Sequence, residues 1–254
     1  MRDRTRLLTL AACAGLAVAG CAGEREGRAS APLETTVVLE EQPLDLDQRA
    51  DGARIVGRLE PVPPNADPDR VLVIQVLRDG ASIAQELAPG LDGMRVVDAR
   101  FVGDAVVTIG ADHVLRVHAG GGTTVLDQQA YEPLSVADTA VAYVRGELPF
   151  FEVARADVAT GAVVAVTQGM APAWSPALTP DGRAIVFVSG AEGSPRFYRI
   201  DGTGTRALPP TARTPSSPIA PRFEDGLLVF HDEQGQAWVD LERGAIVRTS
   251  GGVR

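Results

Sequence analysis

The sequence predicts an all-β fold, a small β-propeller of about four or five blades, set behind an apolar leader. Three observations carry the prediction. Short runs rich in Val, Ile, Thr and aromatic residues recur between clusters of Gly, Asp and Pro, at 35–39, 71–77, 105–109, 141–144, 185–188 and 227–230, the texture of strands bounded by turns. Beyond the leader no window holds a 3.6-residue apolar period for three turns without a Gly or Pro, and residues 83–87 are the one tempting helical fragment. The runs also repeat. Val141-Ala142-Tyr143-Val144 falls on Ile185-Val186-Phe187-Val188 at a shift of about 44 residues; the same shift carries Ala154-Arg155-Ala156-Asp157 onto Tyr198-Arg199-Ile200-Asp201. Units of about 40 residues, each with several strands and a Gly-containing hairpin, have the size of one four-stranded propeller blade. An irregular β-sandwich is the alternative.

Taken in order, the units are uneven. Residues 53–87 have strand texture and little else. The next copy has Gly103-Asp104, Val107-Thr108-Ile109, Leu115-Arg116-Val117-His118 and Gly120-Gly121-Gly122, and the last has Asp225-Gly226, Val229-Phe230, Trp238-Val239-Asp240 and Gly244. The fullest copy lies between them: Ala171-Pro172-Ala173-Trp174-Ser175-Pro176, then Pro180-Asp181-Gly182, an apolar strand, and Phe197-Tyr198-Arg199-Ile200-Asp201. This copy resembles the repeat of the TolB family, where a Pro-x-Trp-Ser-Pro-Asp-Gly stretch leads into an apolar strand and later an aromatic strand ending in Asp. The resemblance implies a propeller, and the physics agrees: Asp-Gly makes a tight turn, aromatic residues wedge between blades, and prolines mark loops. Ala177-Leu178-Thr179 interrupts the motif and predicts a bulged loop. Four units count as blades and 53–87 as a possible fifth, with the strand at 35–39 placed to pair with the last unit and close the ring. Trp174 and Trp238 fall at repeat positions, which predicts burial between blades.

At the N-terminus Arg2, Arg4 and Arg6 precede an apolar stretch at 7–20 that is too short to span a bilayer as a mature helix. It ends in Leu16-Ala17-Val18-Ala19-Gly20-Cys21, which resembles the bacterial lipobox; a common signal peptide with a chance cysteine is the alternative. The resemblance implies a lipoprotein. Residues 1–20 would be removed, the Cys21 thiol would receive a diacylglycerol, and the new amine would be acylated. Each buried methylene contributes about 0.8 kcal/mol, so two or three chains hold stably on a lipid bilayer where one does not. Residues 21–34, including Glu24-Arg25-Glu26-Gly27-Arg28, read as a polar tether, and 35–254 as the repeat domain. Ala22, where an aspartate would retain the protein at the inner membrane, resembles an outer-membrane address facing the periplasm in Gram-negative cells.

Composition excludes several classes. The chain carries a formal charge of -9, and loss of residues 1–20, with three Arg and one Asp, leaves -11. An acidic domain is a poor partner for nucleic acid, and it gains nothing from anionic lipid. Cys13 and Cys21 are the two cysteines, so the folded part has no disulfide. All 24 basic residues are Arg, which removes Schiff-base lysines and phosphate-loop lysines from consideration.

Local motifs carry little chemistry. His113 and His118 lie five apart, on opposite faces of a regular strand, a poor arrangement for sharing a metal. His231, beside Asp232 and Glu233 just after a strand, reads as an exposed turn. Asn65-Ala66-Asp67-Pro68-Asp69 opens like a calcium loop, but Arg70 replaces the turning glycine and Val76 the closing Glu, leaving an acidic surface turn. Asp45, Asp47 and Asp51 fail the same test at Arg49. Gly120-Gly121-Gly122 fits a hairpin tip, and Ser175 and Ser189 lie in no nucleophile elbow. No catalytic residue, metal ligand or cofactor is assigned; the one assigned site is lipid attachment at Cys21. The functional expectation is a membrane-anchored, extracytoplasmic module that binds a protein or peptide of the cell envelope. The alternative is a surface-anchored hydrolase or lyase with carboxylates converging on the propeller channel. In the TolB family the partner is a peptidoglycan-linked lipoprotein, but this chain has no room for that family's N-terminal domain, so the partner is not carried over.

Overall fold

The computed structural model describes residues 43–147, 149–211, 213–214, 221–232 and 234–251. Cys21, the leader, the tether and the strand expected at 35–39 lie outside them. Five successive units follow. The first comprises β1 (Leu44–Gln48), β2 (Arg54–Glu60), β3 (Val71–Arg78) and β4 (Ala81–Ser82), then a single helical turn, α1 (Ala84–Leu87). The second is β5 (Arg95–Val102), β6 (Ala105–Gly110), β7 (Leu115–Ala119) and β8 (Gly122–Asp127). The third is β9 (Ala130–Ala137), β10 (Ala140–Arg145), β11 (Glu152–Asp157) and β12 (Val163–Ala165). The fourth is β13 (Ala173–Leu178), β14 (Ile185–Ser189), β15 (Arg196–Asp201) and β16 (Gly204–Ala207), and the fifth β17 (Arg222–Glu224), β18 (Leu227–Asp232), β19 (Gly235–Asp240) and β20 (Ala245–Gly251). All pairings are antiparallel between chain neighbours, with one crossover: β3 also pairs β5 at Leu72–Val96 and Val73–Arg95, which fuses the first two units into one sheet. The segment 53–87 thus forms strands of a sheet that is continuous with the second unit.

Four apolar clusters fill the four seams between successive blades. Ile55, Leu72, Ile74 and Val76 meet Val96, Phe101 and Val106 in the first; Val107, Ile109 and Leu115 meet Val141 and Tyr143 in the second. Ala142 and Val153 meet Leu178, Phe187 and Tyr198 in the third, and Val186, Val188 and Phe197 meet Leu228, Phe230 and Val239 in the fourth. In β14 successive side chains serve opposite seams, Ile185 and Phe187 one and Val186 and Val188 the other. A strand buried on both faces loses its apolar-polar alternation. That is why Ile185-Val186-Phe187-Val188 reads as an unbroken run. In the first blade the face away from the seam is wet, with Arg54, Arg58 and Gln75 exposed.

The inner strand of each of the first four blades carries a register shift in its ladder, at Asp45/Asp47, Val96/Asp98, opposite Ala142/Val144, and at Trp174/Ala177. In the fourth blade Pro176 and Ser175, the latter at φ 52°, sit within this bulge and not in a loop. The bulge expected in the loop thus lies in the strand, because a proline cannot donate to the ladder. The loop itself is a compact turn in which the Thr179 N–H donates to Ala184 O at 2.9 Å and the Gly182 N–H to Thr179 O at 2.8 Å.

A side chain at or near the bulge latches each of the first three blades to the next. The Phe101 N–H donates to Asp47 Oδ2 at 2.7 Å, Leu134 N–H to Asp98 Oδ2 at 2.9 Å, and Leu178 N–H to Ser135 Oγ at 2.8 Å. Asp157, Asp201 and Asp240, each closing the third strand of its blade, accept backbone N–H groups two or three residues on, from Thr160, Thr203 and both Glu242 and Arg243. The recurring Asp is thus a turn former.

Candidate recognition site

In an antiparallel meander, alternate connections lie at opposite ends. One end, the hairpin end, gathers the turns that follow the inner strands: Arg49 there donates to Gly103 O and Asp104 Oδ1. The other end, the mouth, gathers the β2–β3, β6–β7 and β10–β11 connections and the first residues of the inner strands.

The mouth is built around His113. This residue follows β6 in the left-handed region, at φ 58°, and its carbonyl accepts the Ala130 N–H at 2.8 Å, which sets the start of β9. Its ring lies 4.4 Å from that of Tyr131, which lies 5.1 Å from Phe151. Phe151 in turn is fixed to the fourth blade through its carbonyl, which accepts the Ala173 N–H at 2.8 Å. Beside it Phe150 is 71% exposed, the most exposed of the large apolar residues described. Tyr131 and Phe151 pack against the seam cluster that contains Trp174, whose indole N–H is buried without a hydrogen-bond acceptor.

Carboxylates surround this stack. Asp67 Oδ1 stands 3.3 Å from His113 Nε2, yet neither covered ring nitrogen makes a hydrogen bond. Burial, with the charges of Asp67, Glu147 and Glu132, pushes the Tyr131 hydroxyl up from its usual ionisation range. Enclosure by the surrounding protein raises Glu132 above an ordinary carboxyl, with Asp98 and Asp69 adding to the shift and His113 opposing it. Glu132 is nevertheless open to solvent, as are Asp67, Asp69 and Glu147. Asp98 is different: it is buried, raised chiefly by that burial, and its oxygens are taken by the Ala99 and Leu134 amides and by Arg100 at 3.3 Å.

The residues singled out from sequence scatter around this site. His118 lies in β7, fully buried, bonded at Nε2 to Thr108 Oγ1 (2.9 Å) and at Nδ1 to Thr123 Oγ1 (3.0 Å). His113 is in a turn and not on that strand, so the expectation that the two share opposite strand faces does not hold. No group of three His, Cys, Asp or Glu among the described residues is placed to hold a metal. His231 is exposed but lies within β18, not after it. Asp51 binds Arg49 and Arg78, while Ser189 donates to Met170 O. Gly120 and Gly121 form the β7–β8 turn. Trp174 is buried in the seam between the fourth and fifth blades as expected. Trp238 is covered largely from its own sheet, by the Arg248 guanidinium 3.9 Å over its ring and by Glu224, which accepts its N–H at 2.9 Å.

A cleft of about 460 Å³ also opens at the hairpin end, between Asp138 and Thr139 of the third blade and Asp181 and Arg183 of the fourth. Its polar groups are partly committed, since Asp181 accepts from Thr179 Oγ1 and Arg183 N–H. The mouth, with exposed aromatic surface and open carboxylates together, is the stronger recognition surface.

Solved structures share this arrangement of blades. TolB from Acinetobacter baumannii superimposes with a TM-score of 0.52 at 17% identity, over 78% of this chain and 53% of that one. The WD40 β-propeller domain of Doa1 does so at 0.55 and 13%, over 82% and 68%. This is a β-propeller fold. A gluconolactonase from Xanthomonas campestris matches at 0.50 and 14%, over 79% and 80%, so propellers of very different use resemble the chain about equally. At these identities the likeness shows the fold alone. The chain spans about half the length of the Acinetobacter protein. No protein-family profile matches it, and neither does any curated sequence.

Proposed function

We propose that the protein is a lipid-anchored recognition module of the cell envelope, tethered through acylated Cys21 and binding a protein or peptide partner at the mouth. The observation that carries this reading is Phe150, 71% exposed beside the Tyr131–Phe151 pair. Aromatic side chains held rigidly at a surface are the usual anchors of protein interfaces. Anchoring rests on the lipobox-like run before Cys21 and on the polar residues after it. No helix among the described residues is long and apolar enough to cross a membrane. Outer-membrane residence follows from Ala22 by the sorting rule of Gram-negative lipoproteins.

The rival reading, a hydrolase or lyase, has Glu132 as its best acid. Glu132 hydrogen-bonds no other described residue, and its buried neighbour Asp98 is committed to the backbone, so the pair lacks the shared geometry that acid-base catalysis needs. Crosslinking in intact cells followed by affinity isolation and mass spectrometry tests the proposal. One envelope protein recovered with the wild type and lost with Cys21→Ser is the expected result; recovery of none contradicts it.

A further inference from the structure

The mouth gathers several exposed carboxylates that have no arginine ion pair among the described residues. Many surface carboxylates pair with arginine: Asp51 meets Arg49 and Arg78, Asp232 meets Arg213, Glu224 meets Arg222 and, at the mouth itself, Asp112 meets Arg116. Among the described residues Asp69, Glu132 and Glu147 have no ion pair, and Asp67 has only the His113 ring at 3.3 Å. All four are exposed. Asp67 lies 3.3 Å from the His113 ring, which packs on Tyr131, and Glu132 is the next residue along β9; the charges of Asp67, Glu132 and Glu147 together help raise the Tyr131 hydroxyl. Like charges gathered without a direct ion pair repel one another, and a cation seated among them relieves the repulsion. The same place offers the faces of Tyr131, Phe150 and Phe151, and aromatic faces attract a cation near the ring centre.

We infer that the mouth binds a basic protein segment, with an arginine or lysine side chain of the partner seated between Tyr131 and the carboxylates of Asp67, Glu132 and Glu147, and an apolar neighbour against Phe150. The inference rests on the proposed recognition role and specifies the chemistry of the partner. Electrostatic attraction speeds encounter and the aromatic contact retains the complex.

Three peptides of one length and one aromatic-containing framework, with the same variable positions filled by Arg, Gln or Glu, provide the test, titrated calorimetrically into the full chain in zwitterionic micelles. The Arg peptide is expected to bind about tenfold or more tighter than the Gln peptide, with the Glu peptide weakest and added salt reducing the preference. Asp67→Asn with Glu132→Gln should abolish the preference, and Phe150→Ser should weaken all binding. Asp79→Asn with Asp138→Asn removes the same charge at the hairpin end, where both residues sit in turns at positive φ that Asn accepts, and should change nothing. Equal binding of the three peptides, no binding, or equal loss in the two double variants overturns the inference. If crosslinking captures an envelope partner but charge preference is absent, the recognition role stands and the basic segment falls; a preference localised to the mouth without a cellular partner does the reverse.

Discussion

The Asp98 carboxylate of β5 accepts the Leu134 N–H of β9 at 2.9 Å, reaching from one blade to the next at a position where the inner-strand ladder is broken by a bulge. Its other oxygen holds the Ala99 N–H at 2.8 Å. Removing the side chain leaves two buried amides without acceptors. Asp98→Ala should cost about 2–4 kcal/mol in urea unfolding, while Asp98→Asn, which keeps one acceptor oxygen, should cost less. Equal small losses in both would show the latch to be dispensable.

The seam between the second and third blades has a polar tie of its own. Tyr143, fully buried in β10, donates to Asp127 Oδ2 at 2.6 Å, and Arg145 approaches the same oxygen at 3.1 Å. Burial and this acceptor push the Tyr143 hydroxyl well above its ordinary ionisation range. Tyr143→Phe leaves Asp127 with Arg145 and the Gln128 and Gln129 amides, so it should cost about 1–2 kcal/mol; Asp127→Ala strands the hydroxyl and both amides and should cost about 3 kcal/mol. Chemical denaturation of the two variants checks the order.

His118 makes the stability of the second blade depend on pH. Burial first, then the Arg116 charge, lowers it from 6.5 to about 4. The unfolded chain therefore binds a proton that the folded chain refuses. Its contribution is complete above pH 6.5 and is lost as pH falls toward 4, by on the order of 3 kcal/mol at most. The difference in urea midpoint between wild type and His118→Gln should shrink as the pH is lowered through this window. A difference independent of pH would contradict the buried neutral ring.

The turn aspartates should matter modestly and separately. Asp201 accepts both the N–H and the hydroxyl of Thr203, at 2.9 and 2.6 Å, and is held well below the usual carboxylate range by those two bonds. Asp201→Ala and Asp157→Ala should each lower the urea midpoint slightly, and the double variant by about the sum, because the two turns lie in different blades and share no partner. Marked coupling in a double-mutant cycle would contradict that independence.

Much of the architecture was legible because a propeller repeats its chemistry. Asp157, Asp201 and Asp240 recur since each closes the same turn, and the unbroken apolar runs of β6, β10 and β14 recur since each of those strands serves two seams. The first blade was the weakest part of the reading: its strand β4 has two residues and its outer edge is shared with β5, so no full repeat is written there. The mouth was largely hidden. Asp67 and His113 drew notice for metal spacings they do not satisfy, while Glu132, Tyr131 and Phe150 belong to no motif. They meet through three connections separated by tens of residues, and only the stacking of blades brings them together. The bulge was misplaced because Trp174-Ser175-Pro176 looks like a loop when the proline is read without its neighbouring strand.

The central claim is that partner recognition occurs at the mouth of a membrane-tethered propeller. Site-specific photocrosslinking in intact cells, with the reactive side chain placed at Phe150 and, for comparison, at exposed Val164 on the outer edge of the third blade, tests it most directly. The account predicts one envelope protein joined through position 150, absent from position 164 and reduced by Glu132→Gln. Adducts formed equally from both positions, or from position 164 alone, would contradict it.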